Sequence, residues 1–388
     1  MITRDEIREL ANFHSPETCA LTFYYQPTTP QNRSHRDEFI LVKDVVRTAV
    51  REAEKDGKNG CAQADLERIS AIVEALHGNG GRAKAIFACA GQNFWREYDL
   101  PPQLPKTQVI LNQRFHLKPL AALLRESRNT LIVLADRTKA RVFKLSDDEI
   151  TELQDFFNEL TRRGKSDGFA GYDGGHAERR VSNEAAQHFK AIADYVKERS
   201  ERDAFDQLLI GCHDEQWPDI EPHLHTYAKQ KLIGHFRIDP KVATPEQVKE
   251  MALQHIAEHQ NEERQQLITD VVGEAHRNGN GAIGLRRVLR SLEVGEVQTL
   301  LLGSNFQAPG VKCYNCGHMD LHDASNCAVC GKPNTQLEDI GDGIVGHAIR
   351  NNIEVRWIDN DDEFDRIGRI AALLRFRADQ NTPMKMAV

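Results

Sequence analysis

The sequence predicts an α/β protein of three domains, each a mixed sheet with packed helices, with a zinc-ribbon insertion in the third. Three observations carry this expectation. Short apolar runs rich in β-branched and aromatic residues alternate with longer stretches of helical period. Two Cys-x-x-Cys turns stand ten residues apart near the C-terminal end. The length of 388 residues suffices for two or three separate cores. The expected divisions are 1–127, 128–240 and 241–388, with the ribbon over 311–333.

The first segment opens with a strand over 19–25, ended by Pro27 and Pro30. A helix over 36–54 follows, with Phe39, Ile40, Val42, Val45, Val46 and Val50 as its buried face, and a second helix over 66–76. Strands over 83–90 and 107–111 and a short helix over 117–124 complete the alternation. In the second segment, runs at 130–135 and 140–145 flank the polar turn Asp136-Arg-Thr-Lys and read as a hairpin. Asp136 reads as a turn residue. A helix over 181–200 follows, with Ala185, Phe189, Ile192, Ala193 and Val196 on one face. A strand at 205–212, a short helix over 220–229 and a strand at 232–238 then make a mixed sheet.

The third segment begins with a helix over 244–277, about 50 Å long at 1.5 Å per residue, stopped by Asn278-Gly279-Asn280-Gly281. A helix over 285–292, a strand over 297–302, a helix over 344–351, a strand over 353–358 and the stretch 364–376 form another α/β unit.

Composition narrows the function classes. An apolar share of 40% and a charged share of 28% are ordinary for a soluble globular chain. The net charge of −8 argues against a general nucleic-acid coat and permits local basic patches. A charged first ten residues and the lack of any run of 18 apolar residues predict no signal peptide, no membrane span and a cytoplasmic protein. Cys19, Cys61, Cys89 and Cys212 are scattered and are expected to be buried free thiols.

Cys313, Cys316, Cys327 and Cys330 are different. In Cys313-Tyr-Asn-Cys316-Gly and Cys327-Ala-Val-Cys330-Gly, a glycine after each second cysteine permits a tight turn. Two such turns converge four thiolates on one structural Zn²⁺. His318 and His322 are alternative fourth ligands; the cysteines are the expected set.

The segment 161–180 holds five glycines and five basic residues and no apolar period, and it runs into a helix start. Gly174 and Gly175 can bring backbone N–H groups close to a ligand. Arg162, Arg163, Lys165, Arg179 and Arg180 suit phosphate. A solvated surface loop is the bland alternative. Arg33 and Arg36, in Asn32-Arg33-Ser34-His35-Arg36, form a second small basic cluster at a helix start.

Four pieces in order then carry a resemblance. They are Arg114-Phe-His-Leu-Lys-Pro-Leu-Ala-Ala-Leu-Leu, Gly174-Gly-His-Ala-Glu-Arg-Arg, the run from Gly284 to Leu302, and Ile367-Gly-Arg-Ile-Ala-Ala-Leu-Leu-Arg-Phe-Arg. Together they resemble the archaeal and eukaryotic class-one peptide chain release factors and Pelota, in a bacterial form. The resemblance implies a release-factor-like architecture: a first domain for the decoding centre, a middle one for the peptidyl-transferase centre, and a third for a translational GTPase or the small subunit's partners. It also implies contacts with rRNA and tRNA. In release factors the middle domain carries Gly-Gly-Gln; the matching residues here are Gly174, Gly175 and His176. The family's codon-reading hairpin ends Asn-Ile-Lys-Ser, which Asn32-Arg33-Ser34 matches only in part.

The resemblance therefore implies a ribosome-binding factor that occupies the A site for rescue, dissociation or hibernation without codon-specific hydrolysis. The alternative is a release factor hydrolysing peptidyl-tRNA through Gly174, Gly175 and His176. A second alternative is a zinc-stabilised RNA-binding protein unrelated to the ribosome.

Overall fold

A computed structural model describes residues 2, 4–16, 19–26, 40, 42–49, 51, 59–75, 83–100, 107–123, 128–146, 149–157, 174–202 and 204–378. Three sheets with packed helices follow one another along the chain, and a small three-stranded sheet is inserted in the last. By compactness the chain forms two units: residues 1–125 with 267–388, and residues 126–266.

In the first unit, α1 (Arg4–Asn12) precedes β1 (Ala20–Tyr25). Helix α2 (Asn59–Ala75) is followed by β2 (Ala83–Cys89), β3 (Phe94–Leu100), β4 (Gln108–Asn112) and α3 (Lys118–Leu123). The sheet order is β3-β2-β1-β4, antiparallel throughout. Strand β1 is buried on both faces because its alternation feeds two cores. Ala20 and Tyr24 join Ile7, Leu10 and Leu120 on one side, while Leu21, Phe23 and Tyr25 meet Val42, Val46, Leu66 and Ile69 on the other. Residues 42–49 are helical, as expected. Ile40, placed on the buried face by periodicity, is instead 49% exposed. Phe39 and Val50 lie outside the described residues.

Strand β3 was not expected, since Phe94-Trp-Arg-Glu-Tyr-Asp-Leu alternates charge with aromatic bulk. It pairs along its whole length with β2, from Ala83↔Leu100 to Cys89↔Phe94. The scattered cysteines divide. Cys89 and Cys212 are buried free thiols. Cys19 is disulfide-bonded, which corrects the free-thiol expectation there. Bridging depends on Cα atoms coming within about 7 Å, a separation that linear spacing does not show. The side chain of Cys61 lies outside the described residues.

The second unit is built on β5 (Thr130–Ala135), β6 (Lys139–Ser146), β7 (Glu149–Phe157), α4 (Gly174–Glu201), β8 (Gln207–Cys212), α5 (Trp217–Ile220), α6 (Thr226–Gln230) and β9 (Leu232–Arg237). The order β7-β6-β5-β8-β9 joins an antiparallel hairpin to a parallel crossover. Ala185, Phe189, Ile192 and Val196 of α4 cover one face of this sheet, as the period requires. The helix expected over 220–229 is divided into α5 and α6, with Pro222 between them.

Helix α7 (Pro245–His276) follows. Val248 and Ala252 pack with Ile132, Leu134 and Phe236 of the second unit; Ile268, Val271 and Val272 pack with Leu301, Ile358 and Phe364 of the first. The chain continues through β10 (Gly281–Ile283), α8 (Leu285–Val294), β11 (Val297–Gly303), β12 (Gly310–Lys312), β13 (Met319–Asp320), β14 (Thr335–Leu337), α9 (Ile340–Arg350), β15 (Glu354–Ile358), α10 (Asp362–Arg366) and β16 (Ile370–Leu374). The main sheet runs β10-β16-β11-β15, with only β11 and β15 parallel. Strands β13-β12-β14 form the inserted ribbon. Among the described residues no helix is long and apolar enough to cross a membrane.

Within the first unit, the segment Arg114 to Ala121 is stitched to α9 and its surroundings. Asp342, in the first turn of α9, accepts hydrogen bonds from the backbone N–H groups of Leu117 at 3.0 Å and Lys118 at 3.3 Å. It thus caps the start of α3 from across the fold. His116 Nδ1 lies 3.0 Å from the same carboxylate, and Lys118 Nζ lies 2.6 Å from Asp339, the N-cap of α9. The Tyr24 hydroxyl donates to the His116 carbonyl at 2.7 Å. Asp342 is held below the usual carboxylate range despite burial, with His116 the leading partner that favours its charge.

Candidate metal centre and the glycine-rich helix start

The four cysteines of the ribbon converge. Their Sγ atoms all lie within 4.8 Å of one another. Cys313 Sγ is 3.4 Å from Cys330 Sγ, and Cys316 Sγ is 3.5 Å from Cys327 Sγ, so each turn contributes one sulfur to each close pair. Both turns are made the same way. The Gly317 N–H donates to the Cys313 carbonyl at 2.8 Å, and the Gly331 N–H donates to the Cys327 carbonyl at 2.9 Å. Gly317 and Gly331 have φ of 82° and 70°, the left-handed region where glycine carries no Cβ penalty. The Cys313 N–H donates to His318 and the Cys327 N–H to Lys332, closing each knuckle onto the next strand.

The electrostatics of the cluster suit a cation. The Lys332 backbone N–H holds the Cys330 thiol down at about 6. Desolvation among the other sulfurs pushes Cys316 up to about 12. Thiols this close cannot all ionise together without positive charge between them. The cluster can hold one metal ion with four protein ligands. The two histidines considered as substitutes are engaged elsewhere: His318 Nδ1 sits 2.8 Å from Glu293, and His322 Nδ1 sits 3.2 Å from Asp320.

The ribbon is fixed to the body of its unit. Met319 is buried among Ile340, Ile344 and Leu292. The Tyr314 hydroxyl donates to Asn112 at 2.8 Å.

Gly174, Gly175 and His176 occupy the first turn of α4. This corrects the expected helix start at 181. Two glycines are the weakest helix formers after proline, so propensity alone puts the start after them. The first N–H groups of a helix have no intrahelical partner, which leaves backbone donors at this triplet. Arg179 and Arg180 follow in the same helix; side chains at 174–182 lie outside the described residues. Arg162, Arg163 and Lys165, and likewise Arg33 and Arg36, also lie outside them. Asp339 and Asp342, which organise the 114–121 segment, were not singled out by sequence reasoning. The only local signal was Asp339 placed as an N-cap before an apolar period.

The chain resembles several known proteins in sequence. Peptide chain release factor subunit 1 of Thermococcus onnurineus is 24% identical over 310 residues, covering 72% of this chain and 74% of the relative. The same factor of Pyrococcus abyssi is 23% identical over 309 residues, with the same coverage. The chain is thus similar in sequence to archaeal release factors over about three quarters of its length. More specifically, residues 116–277 match the model of bacterial archaeo-eukaryotic release factor family 10. Among solved structures, Dom34 of S. cerevisiae, a translation termination-like factor, is 11% identical and covers 78% of this chain and 83% of its own, with a TM-score of 0.42. Pelota of Archaeoglobus fulgidus is 12% identical, with coverage of 97% and 93% and a TM-score of 0.35.

Proposed function

We propose that this chain is a cytoplasmic ribosome-binding factor that occupies the A site for rescue, dissociation or hibernation, without codon-specific hydrolysis. The observation that carries this reading is the release-factor likeness through 72% of the chain combined with His176 in place of the family's glutamine. An A-site occupant needs the family's shape and its RNA contacts. It does not need the glutamine amide that positions water against the ester. Arg162, Arg163, Lys165, Arg179 and Arg180 are the proposed rRNA or tRNA phosphate contacts, and Arg33 and Arg36 a second set. A translational GTPase is the proposed partner of the third segment. In the ribbon, Cys313, Cys316, Cys327 and Cys330 are the proposed ligands of a structural Zn²⁺. Tetrahedral Zn–S bonds of about 2.3 Å imply S···S edges of about 3.8 Å, close to the separations present.

A second reading is favoured by the helix start itself. The backbone N–H of His176 survives the loss of glutamine, and a preorganised backbone donor is what stabilises a developing oxyanion. In that case the chain is a release enzyme acting through Gly174, Gly175 and His176.

Ribosome co-sedimentation, followed by single-turnover hydrolysis of peptidyl-tRNA on A-site-free ribosomes, separates the readings. The wild type is expected to sediment with ribosomes and release little or no peptide above background. Robust release that Gly175→Ala abolishes makes it an enzyme and overturns the preferred reading. His176→Gln reports whether the side chain alone limits release. Failure to sediment under any salt condition leaves a zinc-stabilised RNA-binding protein with no ribosomal role.

A further inference from the structure

Between the ribbon, α9 and the segment after β4 lies a small internal cavity, lined by Arg114, Lys312, Asp342, Gly343, Gly346 and Arg350 among others. It has room for about one water-sized body. Three cationic side chains from three different elements border it, against one carboxylate.

That carboxylate is already committed. Asp342 accepts from His116, Leu117 and Lys118. The two guanidiniums are held in place by carbonyls at the end of α1. Arg114 donates to Ala11 at 3.3 Å and to Phe13 at 3.2 Å, and Arg350 donates to Ala11 at 3.2 Å. Carbonyl dipoles orient these groups without neutralising them. Burial, and then the neighbouring Arg114, bring Arg350 down to about 10. Lys312 is 4% exposed, and its Nζ lies over the Tyr314 ring, 5.4 Å from the centroid. Three cations confined around one small space, with Asp342 the one carboxylate among them, leave positive charge in excess there, which is costly away from bulk water.

The cavity is also made by residue choice. A Cβ at Gly343 would come 3.1 Å from Met319 Sδ and 3.4 Å from Lys312 Nζ, and one at Gly346 would come 3.3 Å from an Arg350 nitrogen. Glycine on this face of α9 keeps the space beside the cations open.

We propose that this cavity is a binding site for a monovalent anion of halide size, held by Lys312, Arg350 and Arg114. The ion supplies the negative charge that the protein itself leaves out. Because Arg114 comes from the segment after β4 and the other two from the ribbon and α9, the anion ties the first sheet's exit segment to the metal-bearing ribbon. The size of the cavity selects against phosphate and sulfate.

The test uses the full-length, metal-loaded protein. Thermal unfolding is compared in sodium chloride and sodium gluconate at matched ionic strength, and crystals grown in sodium bromide are examined for anomalous scattering. The expected result is a Tm roughly 2 °C higher in chloride, lost in Lys312→Met, with a bromide peak between Lys312 and Arg350. Equal Tm in both salts with no bromide in the cavity means that it holds water, and overturns the site. A chloride gain that survives Lys312→Met, with bromide only on the surface, overturns it as well. The bromide map of the wild type decides the question even if Lys312→Met fails to fold.

Discussion

At the residue scale, the candidate metal centre rests on four side chains whose positions are set by local chain geometry. Each Cys-x-x-Cys-Gly turn closes through its own backbone hydrogen bond, so the ligands are presented before any long-range packing is needed. One zinc per chain is therefore expected in purified protein, on the order of 10 kcal/mol of local folding energy by comparison with isolated zinc peptides. Chelation should open the ribbon, making all four thiols alkylate together, and Cys313→Ser should do the same without chelator. Substoichiometric metal in native protein, with the four thiols already reactive, would contradict this. Asp342 is the opposite kind of residue. Nothing near it in sequence marks it, because the groups it satisfies lie more than two hundred positions away.

At the scale of elements, the close approach of β10 to α7 depends on a missing side chain. A Cβ at Gly281 would lie 2.2 Å from the Val271 carbonyl oxygen and 2.4 Å from the Ala275 nitrogen. Backbone cannot move aside as a side-chain end can. Gly281→Ala should thus destabilise the first unit by about 3 kcal/mol or more, read as a lowered denaturation midpoint. A change below about 0.5 kcal/mol would show that strand and helix separate freely there. Sequence reasoning had taken this glycine only as part of a helix stop. It also passed over α1, β3 and β7, and the reasons differ. Strands β3 and β7 mix charged and apolar residues, since a sheet edge offers one buried face and little burial on the other. Helix α1 is nine residues long, too short for its period to stand out, and is held by burying Ile7, Leu10 and Ala11.

At the scale of the whole molecule, the first unit should be sensitive to acid. His347, on α9, is held down to about 4 by burial, and then by Arg350 and Lys312. An unfolded histidine takes up its proton near pH 6.5. Between those values the unfolded chain binds more protons than the folded one, so stability falls as pH drops from about 6.5 to about 4. Asp342, held low when folded, adds loss only further down, as the pH falls below the ordinary carboxylate range. Replacing His347 by Gln should flatten the upper part of this profile while leaving the lower limb. A His347→Gln profile that superimposes on wild type between pH 6.5 and 4 would refute the assignment.

What the sequence determined by itself was whatever short-range chemistry could encode. The three runs of alternating strands and helices, the hairpin at Asp136, the four-cysteine ribbon and the basic glycine-rich approach to a helix all follow from spacing, period and turn residues. Long-range matters were decided only by tertiary structure. The helix start moved back to Gly174, Cys19 entered a disulfide, and Asp342 became the cap of a helix far away in the chain. Three cations came to surround a cavity that none of their neighbours in sequence predicts. The physical reason is common to all of these. Propensity and period describe a residue's relation to the next few positions, whereas capping across the fold, bridging and charge imbalance depend on which distant groups packing brings within a few ångströms.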